Sequence, residues 1–277
     1  MKHILYILSV LFLLVACKQK SDAPETFVSQ THASQHAAHH AASEDDALPD
    51  LKKQRVARDT SDIILRKKAF TVSYNKRTRT PNWVAWTLTK DHTRGHLQRN
   101  NERFEEDTDV PQPRATYFDY YNSRYDRGHM CPAGDNKWDQ QALTESFLMT
   151  NICPQNHVLN KEDWNDLEIK CREWARHYGE ITIVCGPLFE YEDNPRYIGK
   201  NKVMVPTGFY KIVYRSSPSP RAVGFIFENS GKRQPWSRAA CSIDEIELRT
   251  GIDFFPQLAD KIENNVEALT STKGWER

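Results

Sequence analysis

Apolar and polar positions sort this chain into three stretches. Ile4 to Val15 is almost wholly apolar and follows the short cationic start Lys2-His3. A bilayer-spanning helix needs about 20 apolar residues, so this run predicts the core of a secretory signal. Lys18 to Ser61 is built mostly from Ala, Ser, His, Gln, Asp and Lys. It has too few large apolar residues to offset the entropy of ordering it, and predicts a flexible linker. As a coil it would span about 35–40 Å. From residue 62 to residue 277 the pattern predicts one folded domain.

Within that domain, short alternating or apolar runs predict strands at Phe70–Tyr74, Trp83–Thr89, Ile181–Val184, Val203–Tyr214 and Ala222–Phe227. Helical spacing predicts one helix over about Asp139–Leu148. A second covers about Asn160–His177, where Trp164, Leu167, Cys171, Trp174 and Tyr178 recur on one face. A third begins at Ser242, where Ser242 and Glu245 form a capping-box pattern, and stops at Gly251. Strands and helices are grouped rather than strictly alternating. That predicts an α+β fold, a mixed sheet with packed helices.

Charge adds a constraint. Lys and Arg number 38 against 37 Asp and Glu. A basic surface that would bind nucleic acid by bulk charge is excluded, so any phosphate contact must be local. Beyond Cys17 there are five cysteines: Cys131, Cys153, Cys171, Cys185 and Cys241. An odd number leaves at least one thiol unpaired within a monomer, and buried small hydrophobes are the default reading. Cys153 and His157 are neighbours in sequence, but nothing completes a zinc site around them. His32, His36, His39 and His40 in the linker read as part of a solvated tether.

The segment Leu14-Val15-Ala16-Cys17 resembles the lipobox of bacterial lipoproteins. The resemblance implies cleavage before Cys17 and acyl chains on it. The protein would then be exported and lipid-anchored to a membrane, facing the periplasm or the exterior. Several chains on one residue give stable anchoring where one is marginal.

The chemistry-bearing stretch runs from Tyr125 to Glu168. It opens with Asp126-Arg127-Gly128-His129-Met130, continues through Thr150-Asn151-Ile152-Cys153-Pro154-Gln155, and closes with Leu159-Asn160, Trp164, Leu167 and Glu168. If the first segment is extended, Arg127 and His129 share a face, and Gly128 leaves room for a close approach. A guanidinium fork holds phosphate oxygens, and a neutral imidazole takes a proton from water. Asn160, at the predicted start of a helix, reads either as an N-cap or as a hard, neutral metal ligand. Glu168, two turns on, could reach the water around such an ion.

Taken together, these segments resemble the DNA/RNA non-specific endonuclease family. The shared pattern is a DRGH motif, then Asn-x-x-Pro-Gln, then an Asn-x-x-x-Trp-x-x-Leu-Glu helix. Weaker likeness at Asn82-Trp83-Val84-Ala85, Gly186-Pro187-Leu188 and Pro206 with Phe209-Tyr210-Lys211 extends it from about Val72 to Gly251. The resemblance implies a ββα-metal nuclease core and cleavage of DNA and RNA without regard to sequence. His129 takes the general-base position. Asn160 takes that of the direct ligand of Mg²⁺, with Mn²⁺ as a substitute. Glu168 acts on the ion through water. Arg127 and Asn151 take substrate-binding positions. The family's upstream arginine falls on Arg99 or Arg103. A second reading is a weakly active nucleic-acid-binding module tethered to a membrane.

Overall fold

The computed structural model describes residues 62–190 and 194–275. The predicted signal, the lipobox with Cys17, and the linker with its histidines lie outside the described residues.

The backbone of the domain is a seven-stranded sheet. Its strands are β1 (Ile63–Arg66), β2 (Thr71–Asn75), β3 (Thr80–Thr89), β6 (Glu180–Leu188), β9 (Gly208–Arg215), β10 (Arg221–Glu228) and β11 (Ala240–Cys241), hydrogen-bonded in that order. The α+β class stands, and the expected mixed sheet is refined. Each neighbouring pair in this sheet is antiparallel. The strands numbered between these form two small hairpins, β4 (Asp126–His129) with β5 (Ile152–Gln155), and β7 (Tyr197–Ile198) with β8 (Val203–Met204).

β9 shows why the sheet sits at the centre. All of its residues are buried, and its alternation feeds two cores. Phe209 and Val213 face one apolar cluster, and Tyr210, Ile212 and Tyr214 face the other. A strand with both faces covered must be apolar on both. The predicted single strand Val203–Tyr214 is in fact β8 and β9, separated by Val205-Pro206-Thr207. Proline cannot donate a ladder hydrogen bond, so the pairing breaks there.

On one face lies the long helix α3 (Asp163–Tyr178), which buries Trp164, Leu167, Cys171 and Trp174. On the other lie α4 (Ile243–Thr250) and α5 (Asp260–Glu267), contributing Ile243, Ile246 and Val266. The Ser242 hydroxyl accepts from the Glu245 N–H, and Gly251 closes α4 at φ 62°, as the capping pattern predicts. The first predicted helix is shorter, α1 (Gln140–Glu145), capped by Asp139 through the Ala142 N–H. Trp275 is buried and its carbonyl accepts from the Trp174 indole at 2.6 Å, so the core reaches the end of the described chain. All five described cysteines are buried and unpaired.

The helix predicted over Asn160–His177 needs correction. The chain forms α2 (His157–Lys161), breaks at Glu162, and restarts as α3. Asn156, not Asn160, caps α2 by accepting from the Val158 N–H. Asn160 lies near the C-terminal end of α2, so the N-cap reading of it fails.

Candidate active site

The β4–β5 hairpin carries the motif. β4 is extended, and Arg127 and His129 line the same cleft. Gly128 pairs with Cys153, and a Cβ added at Gly128 would lie 2.2 Å from Gln155 Oε1 and 2.6 Å from its Cβ. Only glycine lets the Gln155 side chain lie against the strand at this point. Beyond His129 the chain is clamped by Asn151. The Asn151 carbonyl accepts from the Met130 N–H, its Oδ1 accepts from the Cys131 N–H, and its Nδ2 donates to the carbonyls of Cys131 and Ser146. Asn151 is fully buried and does not line the cleft. Its amide is spent on backbone and braces the strand that carries His129, so the structure does not bring it to the cleft with the other expected site residues.

The cleft has a volume of about 500 Å³. Its first wall is β4, with Arg127 and His129. Its second is formed by α2 and the first turns of α3, with Asn160, Lys161, Asn165 and Glu168. Asp126 joins the two: its Oδ2 accepts from Asn160 Nδ2 at 2.9 Å and pairs with His157 Nδ1 at 2.9 Å. That bond turns the Asn160 carboxamide so that its nitrogen is occupied and its oxygen has no hydrogen-bond partner. Of the two upstream arginines, Arg99 lines the cleft, whereas Arg103 is exposed and does not.

Aromatic rings set the electrostatics. The His129 ring packs against Phe104 (centroids 5.3 Å apart) and edge-on against Phe147 (5.0 Å). Its carbonyl accepts from the Trp164 indole, which ties β4 to α3. Burial, reinforced by the Arg99 and Arg127 charges, pushes the imidazole down to about 3. The ring is neutral at physiological pH, and its Nε2 has no hydrogen-bond partner. The Arg127 guanidinium lies against both the Phe104 and the Tyr117 rings, 4.7 Å from each centroid.

Glu168 is raised to about 7, mainly by burial, against the opposing pull of Lys211 and Arg172. Lys211 is only 1% exposed and lies 4.1 Å from the Trp164 ring centroid. Arg172 is ion-paired with the buried Asp135 at 2.9 Å, and Asp135 also accepts from the Trp86 indole. Behind Glu168 there is thus a fixed set of two cations and one acid. The sequence carried a signal for it: a lysine in the middle of Gly208-Phe-Tyr-Lys-Ile-Val-Tyr214 is anomalous in a buried strand unless it is partnered.

The sequence pattern of DNA/RNA non-specific endonucleases matches residues 49–261. The chain belongs to this family. Among relatives, the mitochondrial nuclease EXOG of Xenopus laevis is 35% identical over 202 residues, 68% of this chain and 56% of that protein. Human mitochondrial endonuclease G is 31% identical over 218 residues, covering 74% of this chain and 73% of that protein. The chain thus spans little more than half the length of the EXOG relatives. A crystal structure of an EndoG/EndoGI complex, which concerns the mechanism of EndoG inhibition, superposes with a TM-score of 0.69 at 27% identity. It covers 78% of this chain and 95% of the matched one.

Members of the DNA/RNA non-specific endonuclease family depend on a metal, and the cleft residues fit one. The unpartnered Asn160 oxygen is a hard, neutral donor, and Glu168 forms no hydrogen bond or ion pair of its own among the described residues. One protein oxygen beside a carboxylate suits an ion that keeps most of its waters. Cys153 and His157 assemble no such site: the thiol is buried and the imidazole is exposed.

Proposed function

We propose that this chain is a Mg²⁺-dependent endonuclease that hydrolyses phosphodiester bonds of DNA and RNA without sequence preference and leaves 5′-phosphates. The observation that carries the reading is that His129 and Arg127, from one strand, line a single cleft together with Asn160 and Glu168.

His129 takes a proton from a water that attacks phosphorus in line; the P–O3′ bond breaks and the 3′ oxygen leaves, picking up a proton from solvent. Arg127, held against the Phe104 and Tyr117 rings, presents its fork to the non-bridging oxygens and stabilises the charge that builds there. Arg99 adds a second positive charge in the same cleft. Beyond burial, both arginines depress His129. A bound phosphate offsets them and raises the imidazole toward a working basicity. Asn160 would hold the ion, with Glu168 ordering its water, and the ion when bound supplies Lewis-acid stabilisation of the phosphate charge. Phosphate contacts carry no base information, and attack by external water makes the 2′-hydroxyl dispensable, so both DNA and RNA serve.

We further propose that the enzyme is exported and held at a membrane through lipidated Cys17, with the segment up to Ser61 as its tether. The lipobox-like sequence supports this. Plasmid nicking with and without EDTA tests the catalytic reading: the protein should nick with Mg²⁺ and stop with EDTA. Nicking that ignores EDTA, or tight DNA binding with no nicking at all, would refute it.

A further inference from the structure

One turn beside the cleft displays aromatic rings to water. Tyr117–Tyr120 forms a 3-10 turn in which Asp119 and Tyr120 are buried. Tyr117 is 42% exposed, Phe118 80% and the following Tyr121 72%. Apolar side chains exposed singly are ordinary, but Tyr117 and Phe118 are in mutual contact and form one apolar surface.

The turn is fixed. The Asp119 carboxylate accepts from the Thr116 N–H and hydroxyl, and from the Asn201 N–H and side-chain amide. Beneath it, the Tyr120 hydroxyl donates to the Ile152 carbonyl on β5. The rings are therefore presented in place, and little ordering entropy remains to oppose a ligand.

The turn also continues the cleft. The Arg127 guanidinium touches both Phe104, which lines the cleft, and Tyr117, and Phe118 packs edge-on against Tyr117 at 5.7 Å between centroids. A strand whose phosphate lies on Arg127 passes this ridge with its neighbouring base. In a duplex both π-faces of that base are covered by its neighbours. In an unpaired strand that stacking is weaker and opens readily, and every base has a π-face, so stacking on the protein is tolerant of sequence.

We propose that Tyr117 and Phe118 form a nucleobase-stacking subsite, giving the enzyme a preference for single-stranded or unpaired DNA and RNA. This rests on the nuclease reading above and names its substrate class.

The test uses Phe118→Ala, because a side chain this exposed is dispensable for folding, with Ile262→Ala on the far helix layer as a control. Three substrates are compared: a single-stranded oligonucleotide, its duplex, and an abasic strand with the same phosphates. Stacking on one ring contributes about 1–3 kcal/mol per base, or about 5- to 150-fold. The parent should favour the natural single strand over the abasic one, in KM more than in kcat. Phe118→Ala should cut that advantage by this factor, and Phe118→Trp should keep it. Anisotropy binding in EDTA reads the same ratio without cleavage, so the subsite can hold even if the parent cuts nothing. An unchanged ratio in Phe118→Ala overturns the proposal. So does an equal loss on all three substrates, or a dimer that Phe118→Ala dissociates.

Discussion

Replacing Asn160 separates its structural work from its chemistry. Because Asn156 caps α2, Asn160→Ala removes no cap. It removes one hydrogen bond, from Nδ2 to Asp126 Oδ2 at 2.9 Å, between two partly exposed groups. A bond to a charged acceptor that water can reach contributes about 1 kcal/mol. For a domain of this size that is a fall of about 2–4 °C in melting temperature. The catalytic loss should be far larger. Residues that merely support a metal ligand cost about 10–100-fold when removed, so the ligand itself should cost at least about 100-fold. Asn160→Asp behaves differently again. It replaces the donor with a carboxylate facing Asp126, so the metal-free protein should melt lower than Asn160→Ala. Mg²⁺ should recover part of that loss, while turnover stays below the parent's. The assay is a Mg²⁺ titration of plasmid nicking rate, with thermal melts on the same samples. An Asn160→Ala protein that cuts at the parental rate while melting slightly lower would refute the ligand assignment.

His129→Ala should lower kcat by at least about 100-fold, the lower end for loss of a general base, with little change in the Mg²⁺ dependence; surviving activity would remove His129 from the mechanism. Gly128→Ala forces a Cβ into Gln155 and should cost about 1–3 kcal/mol in chemical denaturation, with a drop in nicking as β4 shifts. Glu267, only 6% exposed, is raised to about 8 by burial and by Glu247, Glu263, Asp244 and Asp253. Its contribution is complete below the ordinary glutamate range and is lost as pH rises through about 8. Glu267→Gln should therefore melt like the parent near pH 4 and be about 1–2 kcal/mol more stable above pH 8; a constant difference across that range would contradict it. Cys17→Ser should leave the protein soluble or unprocessed on membrane fractionation, and unchanged detergent-dependent association would rule out the lipid anchor.

How far the sequence reached depended on whether its signal was local. The capped helix α4 was legible because Ser242, Glu245 and Gly251 act within a few residues of one another. The face of α3 was legible from the spacing of Trp164, Leu167, Cys171 and Trp174. The break at Glu162 was not, because the apolar period runs through it from Leu159 to Trp164 without a proline or glycine to mark it. β1 was missed because its Ile63-Ile64-Leu65 core is only four residues with Arg66 and adjoins a polar stretch. α5 was missed because Ile262 and Val266 are its only large apolar residues. At the site, the motif brought His129, Arg127, Asn160 and Glu168 to one cleft as expected. The bracing contacts of Asn151 were not legible, because its partners are the carbonyls of Cys131 and Ser146, which only tertiary structure brings to it. The choice between Arg99 and Arg103 was a question of which one faces the cleft, and two exposed-looking arginines four residues apart do not answer that in sequence.

The buried thiols have a bearing on where such a fold can work. Each described cysteine is packed inside the domain, and burial pushes each thiol up, away from the reactive thiolate. The finished domain neither needs an oxidant to mature nor presents a thiolate to one. Its folded stability therefore owes nothing to a disulfide among the described residues, whichever redox poise surrounds it. The hazard moves to the interval before the sheet closes, when five thiols on an open chain can mispair. An exported copy is thus under pressure to fold faster than it is oxidised, and speed of closure, rather than disulfide chemistry, becomes the trait that selection can act on.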